Sequence, residues 1–193
     1  MPRWKPDSRQ RLVVAALQLF AEKGYDATTV SQIAERANLT RSTFHRHFGD
    51  KRDILTAGQE TLSRLLAEGI DAAPADATPM TALAAGLDHT CAHMTEINRE
   101  IGTLTHAAIE ANEELRQRSA DKNTGLSRTI TEALIRRDTA PITARLAAEL
   151  GIIAFHQGFS RWTDPTREGD PGALTTLVRE ALDELRAAAT QLH

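Results

Sequence analysis

Residues 28–51 constrain the fold more than any other part of the chain. The segment reads TTVSQIAERANLTRSTFHRHFGDK and contains two short helical patterns only a few residues apart. Its second pattern is rich in polar, cationic and aromatic side chains. Two such helices are typical of a helix-turn-helix, in which the second helix lies in a DNA major groove and the first braces it. The segment therefore predicts a helix-turn-helix.

Helical periodicity continues along nearly the whole sequence, and strand signals are almost absent. The predicted fold class is all-α: a small N-terminal bundle, a long fourth helix and a larger C-terminal bundle. We expect an N-terminal domain over residues 1–55, with residues 1–7 as a flexible arm, and a C-terminal domain over residues 56–193.

The N-terminal helices are marked by capping residues, in which a short polar side chain bonds to the first free amides of a helix. The predicted caps are Asp7 with Gln10, Thr29 with Gln32, Thr40, and Asp50 with Asp53. The last pair predicts a fourth helix that runs to about residue 72. Gly24 is expected to end the first helix as a left-handed cap, and Asn38 to adopt a left-handed backbone.

Further helices are expected after a linker over residues 73–78. Their predicted bounds are Pro79 to about Asn98, Thr103–Glu110, about Glu113–Arg137, and Thr139 to a break at Thr163-Asp164-Pro165. Asp170-Pro171 is expected to open the last helix.

Charge is divided unevenly along the chain. Residues 1–52 hold 10 Lys and Arg against 5 Asp and Glu, whereas the remaining residues hold 13 against 21. A basic N-terminal part on an acidic body indicates that only the N-terminal part approaches a polyanion.

Composition points to a globular chain in the cytoplasm. Cys91 is the only cysteine, so no intrachain disulfide can form, which fits a reducing compartment. The sequence has no signal-peptide pattern and no apolar run near the ~20 residues that span a bilayer.

Residues 8–55 resemble the DNA-binding domain of the TetR/AcrR family of transcriptional repressors. The matching signature is AALQLFAEKGYDATTVSQIAERANLTRSTFHRHFGDKRDIL. The C-terminal half matches more loosely, through its helix count and the segment GFSRWTDP. The resemblance implies a homodimer that binds a palindromic operator and is released from it by a small molecule in the C-terminal domain. It implies no cofactor and no enzymatic activity.

The expected DNA contacts follow from this resemblance and from the chemistry of the side chains. Thr29 and Lys51 are predicted phosphate contacts, and Arg41, Ser42 and Thr43 are placed to reach base edges. Arg41 could instead bind a phosphate. His45, Arg46 and His47 complete the predicted set, although His47 could equally pack at the helix end. His45 stands where the family usually has a Tyr that contacts phosphate, and Asn38 stands where Gly is frequent.

The body is expected to hold an effector and a dimer interface. An apolar effector cavity is predicted among the middle helices, lined by Leu87, Cys91, Met94, Leu104, Ala108, Leu126, Ile130, Phe155 and Phe159. Each of these residues could also be plain core. The predicted dimer interface comprises Leu146, Leu150, Ile153, Leu182 and Leu185.

Two other classes of function compete with this interpretation. His89 and His93 stand four apart on one helix and could bind a metal, but the helical wheel shows no acidic or Cys ligand on their patch, so solvated histidines are favoured. Cys91 has no evident base to activate it as a nucleophile. The second alternative is a structural DNA-binding protein without a ligand, which a filled C-terminal core would support.

Overall fold

A computed structural model describes residues 7–164, 166 and 173–191 of the chain. Within these residues the regular secondary structure is helical throughout. The helices are α1 (Ser8–Lys23), α2 (Val30–Arg36), α3 (Arg41–His47), α4 (Gln59–Asp71), α5 (Pro79–Ala92), α6 (Glu96–Ala111), α7 (Glu113–Arg136), α8 (Pro141–Thr163) and α9 (Leu174–Thr190), with a 3-10 turn at Lys51–Ile54. The all-α fold class is confirmed. Residues 1–6 of the predicted arm and the predicted Asp170-Pro171 helix start lie outside the described residues.

The helices form two compact units. The first contains the described part of Met1–Ala57 together with Thr95–Ala120, and the second contains Gly58–Met94 and the described part of Asp121–His193. The sequence-based division at residue 55 assigned residues 95–120 to the second domain. In the structure α6 packs with the first unit, because its apolar side chains Leu104 and Ala108 join the core formed around α1.

The first unit has the predicted caps. Asp7 with Gln10 and Thr29 with Gln32 form complete capping boxes, and the Thr40 side chain accepts a hydrogen bond from the amide of Thr43. These bonds satisfy amides that a helix start leaves without partners. The Leu12, Leu17, Phe20, Ile33, Phe44 and Ile54 side chains fill the core of this unit.

Two predicted helix boundaries and the predicted conformation of one helix cap were wrong. The capping box of Asp50 and Asp53 opens only the 3-10 turn, and α4 begins after Gly58, whose φ of 84° interrupts the helix. Gly24 has a positive φ of 83° but a ψ of 157°, so it is not a left-handed helical cap. Helix α5 ends at Ala92, and a capping box of Thr95 with Asn98 starts α6 earlier than predicted.

The second unit is built from α4, α5, the end of α7, α8 and α9. Its core includes Leu83, Ile130 and Trp162. Helices α4 and α5 approach closely at Gly69 and Gly86: a Cβ on Gly69 would lie 2.8 Å from the Gly86 Cα. Small residues at this crossing allow the two backbones to pack directly.

Candidate nucleic-acid interface

The turn between α2 and α3 sets the direction of the second helix. Asn38 has the predicted left-handed backbone, with φ 56°, and the Leu39 amide bonds to the Ala34 carbonyl at 2.8 Å. From α1, the Arg11 guanidinium donates to the carbonyls of Ala37 and Asn38. Arg11 is not among the residues predicted from sequence, because its position on α1 does not reveal which backbone oxygens the fold brings to it.

Helix α3 is anchored on one side and open on the other. The Phe44 and Phe48 rings are buried with centroids 5.5 Å apart, and they anchor this side of the helix in the core. The opposite side presents five exposed residues: Arg41, Ser42, His45, Arg46 and His47. Thr43 is half-buried, and its hydroxyl oxygen lies 2.9 Å from that of Thr40. The structure thus brings six of the eight predicted DNA-contact residues together on one short helix.

Thr29 is exposed at the start of α2, and its donors already have acceptors. Its amide donates to Gln32 Oε1 at 2.9 Å, and its hydroxyl donates to the same oxygen at 3.2 Å. A phosphate contact by Thr29 stays a prediction, and it would compete with the Gln32 side chain.

Several cations of the first unit are bonded within the protein. Arg36 makes a bidentate ion pair with Glu22 at 2.8 and 2.7 Å, and this pair lowers the pKa of the Glu22 carboxyl. Arg52 pairs with Asp50, and the Arg9 guanidinium lies 5.2 Å from the centroid of the Phe48 ring. Lys23 lies close enough to Glu22 to help lower the pKa of that carboxyl. Among the described residues, none is found to form an ion pair with Arg41 or Arg46. These two cations are therefore open to an external anion.

Lys51 is half-buried and its ammonium faces backbone oxygens. Lys51 Nζ donates to the carbonyls of Tyr25 at 2.6 Å, Thr28 at 3.0 Å and Asp26 at 3.3 Å, and it lies 4.2 Å from the centroid of the Tyr25 ring. A groove of about 490 Å³ runs beside it, lined by Tyr25, Asp26, Thr28, Thr29, Val30, Asp50, Lys51 and Arg52. The predicted phosphate contact is not tested by this arrangement and stays a prediction.

The predicted effector site is not one cavity. Leu104 and Ala108 lie in the core of the first unit, whereas the other seven predicted lining residues lie in or against the core of the second. Of those seven, Leu87, Leu126 and Phe155 line an internal void of about 10 Å³. That volume holds at most one water molecule. This void is therefore too small for an effector molecule.

His89 and Cys91 lie on α5, and His93 directly follows this helix. His93 Nδ1 lies 2.8 Å from the carbonyl oxygen of His89, and His89 Nε2 lies 3.7 Å from a carboxylate oxygen of Glu68 on α4. The sequence had not placed an acidic residue beside His89. No group of three or more His, Cys, Asp or Glu that could hold a metal occurs within the described residues. Cys91 is buried, and burial raises the pKa of its thiol to about 12.

An apolar strip lies on the outer side of α8. We call Ile142, Leu146, Leu150 and Ile153 the α8 strip. Leu146 is 62% exposed, Ile142 77% and Ile153 43%, and Leu150 is half-buried. Leu182, predicted at the dimer interface, is only 4% exposed and packs into the core, and Leu185 is half-buried against the same core. The apolar pattern of α9 did not distinguish the residues that face the core of the same chain from residues that could face a partner chain.

Comparisons with known proteins agree with this geometry. Residues 12–57 match the model of the bacterial regulatory proteins, tetR family. The HTH-type transcriptional regulator TcmR of Streptomyces glaucescens is 33% identical over 76 residues, which cover 39% of this chain and 34% of that protein. HbdR of Aromatoleum sp. is 41% identical over 54 residues, 28% of this chain and 24% of that protein. The chain thus matches about a quarter to a third of the length of these relatives.

Solved structures resemble the chain over almost its whole length. The transcriptional regulator FadR from Bacillus subtilis, in complex with stearoyl-CoA, has a TM-score of 0.60 at 22% identity and covers 91% of this chain and 96% of its own. The fatty acid degradation regulator FadR from Bacillus halodurans has a TM-score of 0.56 at 19% identity, over 95% and 96% of the two chains. These similarities establish a shared fold. In addition, none of the helices that the structure describes is long and apolar enough to cross a membrane.

Proposed function

We propose, from its membership of the TetR family of bacterial regulatory proteins, that this chain is a transcriptional regulator that binds double-stranded operator DNA through α3. The observation that carries the proposal is the open side of α3, where cationic and polar side chains are exposed above the buried Phe44 and Phe48. A helix fixed on one side and polar on the other can enter a major groove. A protein that binds an operator would act in the cytoplasm.

The DNA contacts divide by chemistry. Ser42 and Thr43, near the start of α3, are proposed to reach base edges, and Arg41 reads a guanine or binds a phosphate. Arg46, His45 and His47 are proposed to contact the backbone. A His side chain can donate a hydrogen bond, as the family's usual Tyr would, so His45 is proposed to keep that single contact.

Two copies of the chain are proposed to bind together. One seven-residue helix covers too little DNA for operator specificity, whereas a two-fold dimer reads a palindrome across successive major grooves. The α8 strip is the proposed interface, because its large apolar side chains are exposed on a single chain. Glu149 precedes Leu150 on α8, and its carboxylate accepts a hydrogen bond from the Ser127 hydroxyl at 2.8 Å. A two-fold axis through α8 covers the strip of both copies.

A small apolar effector is proposed to release the DNA as a repressor's inducer does. The support is the apolar core of the second unit and the FadR relative of known structure that was solved with stearoyl-CoA. Drug-sized ligands occupy about 300–1,000 Å³, far more than the void of about 10 Å³. An effector that binds at this void would therefore have to expand the core around it.

A ligand-independent DNA-binding protein is the second candidate, and the small volume of the void favours it. Thermal-shift screening against lipophilic compounds separates the two candidates, since a ligand that binds the native state raises its apparent stability. A compound that raises the melting temperature and also releases the DNA supports the regulator. Failure of every stabilising compound to release the DNA supports the second candidate.

Selection of bound sequences from random DNA, followed by gel shifts, tests the function itself. We expect a palindromic consensus and loss of its binding in Arg41→Ala/Arg46→Ala. Arg186→Ala, which removes an exposed cation from α9, serves as the matched control and should bind as the wild type does. Recovery of no consensus, or equal binding by both variants, would refute the assignment of α3.

A further inference from the structure

We propose that Lys51 is a positioning residue: its ammonium fixes the loop that leads into α2, and it is not itself a phosphate ligand. This inference rests on the proposed function, since what it positions is the DNA-binding helix pair. It assigns to Lys51 a role different from the phosphate contact that the sequence resemblance implies.

The three N–H donors of the Lys51 ammonium group face three acceptors within the protein. A lysine has three N–H donors and no acceptor. Three carbonyls lie around Nζ at 2.6, 3.0 and 3.3 Å, all from the four-residue stretch Tyr25–Thr28, and the Tyr25 ring lies 4.2 Å away on the same side. A phosphate oxygen could be bound only if Nζ gave up one or more of these carbonyls.

The loop that Lys51 binds sets the position of α2. It leaves α1 at Gly24 with a backbone, φ 83° and ψ 157°, that only glycine adopts readily. Inside it, Thr28 is buried, and its hydroxyl lies within hydrogen-bond distance of the carbonyls of Gly24 at 2.8 Å and Leu19 at 3.3 Å. The next residue, Thr29, caps α2. Any shift of the loop carbonyls therefore moves the first turn of α2.

The backbone at Lys51 is itself fixed directly after α3. Asp53 Oδ2 accepts hydrogen bonds from the amides of Gly49 at 2.9 Å and Asp50 at 3.1 Å, which holds the 3-10 turn in place. Lys51 thus joins the segment after α3 to the segment before α2. The turn at Asn38 joins the end of α2 to the start of α3, and the Lys51 contact links the segments at the other ends of these two helices.

Lysine labelling of the wild-type protein tests the contact without any substitution. We expect acetylation by N-hydroxysuccinimidyl acetate, followed by mass spectrometry, to modify Lys51 at least tenfold more slowly than exposed Lys23 in the DNA-free protein. The rate at Lys51 should stay the same when operator DNA is added. Fast labelling in the free protein that is slowed only by DNA would overturn the proposal.

Substitution separates positioning from direct contact through salt dependence. Each phosphate neutralised by a protein cation adds about 0.9 to the slope of log affinity against log salt. Lys51→Met should weaken DNA binding about tenfold with the wild-type slope, and it should speed amide hydrogen exchange over residues 25–30. Arg46→Met, the matched control, should reduce the slope by about 0.9 per protomer and leave that exchange unchanged.

Three results would contradict the positioning role: a slope lowered in Lys51→Met as in Arg46→Met, wild-type affinity in Lys51→Met, or unchanged exchange over residues 25–30. If the wild-type chain selects no DNA sequence, the proposed function fails instead. Labelling and hydrogen exchange in the free protein then still decide whether Lys51 holds the loop.

Discussion

The α8 strip makes a quantitative prediction about self-association. Replacing Leu146 by Ala removes three side-chain carbons, and each buried CH₂ contributes about 0.8 kcal/mol. Leu146 is 62% exposed on the single chain, so an interface can cover only that fraction of the three carbons. Covering it should stabilise the dimer by about 1.5 kcal/mol per protomer. A two-fold interface contains the residue twice, so Leu146→Ala should weaken the dimer by about 3 kcal/mol, roughly a hundredfold in Kd.

Sedimentation velocity over a dilution series, with fluorescence detection for the lowest concentrations, measures this Kd. Leu182→Ala is the informative control, because Leu182 lies in the core of its own chain. That variant should lose about 2–5 kcal/mol of folding stability in urea denaturation and keep the dimer Kd within a few-fold. A wild-type Kd for Leu146→Ala, or a dimer lost only in Leu182→Ala, would refute the placement of the interface on α8.

Two further predictions concern the second unit. Gly69→Ala should destabilise the protein by about 1–2 kcal/mol in urea denaturation, because overpacking against Gly86 outweighs the helix propensity that Ala gains. Gly125→Ala is the control and should not destabilise the protein, because its Cβ would meet only a flexible glutamine side chain. Equal losses of stability in the two variants would contradict the close crossing of α4 and α5. Native Cys91 should resist iodoacetamide at pH 8, since burial raises the pKa of its thiol to about 12. Because the folded-state pKa lies above the ordinary value of 9.0, the stability that Cys91 contributes is present below pH 9 and is lost as the pH rises towards 12. Cys91→Ala should therefore show a shallower loss of stability over that range, and rapid alkylation of the native protein would disprove the burial.

Helix caps were predicted well from sequence, because the residues that form a cap are close together in the chain. A capping box needs two residues three apart, so Asp7 with Gln10 and Thr29 with Gln32 could be located without the fold. The capping box at Asp50 led to a wrong prediction of where the fourth helix begins. There the box starts only a 3-10 turn, and the next helix begins after Gly58. The pattern records that a helical turn starts, not how far it continues.

Tertiary partners were predicted poorly, since an amphipathic helix does not specify what covers it. Leu104 and Leu182 both lie on clear apolar sides, and both were assigned to the wrong neighbour: the first packs near α1, and the second into the core of its own unit. The backbone contacts of Arg11 and Lys51 were not predicted for a related reason. Their acceptors are backbone carbonyls about 25 residues away, which carry no sequence signature.

The basic character of the N-terminal part therefore overstates the charge that it offers to DNA. Of its eight described cations, five are bonded to carbonyls, carboxylates or a ring, and Arg41 and Arg46 are the two that α3 presents openly. If only these two neutralise phosphates, a dimer has a salt slope of about −4, whereas all eight would give about −14. Gel shifts at several salt concentrations, with Arg3 and Lys5 replaced by Ala to remove the cations outside the described residues, measure this slope. A value near −14 would show that the internal bonds of the other cations open on DNA, and that net charge was the better guide after all.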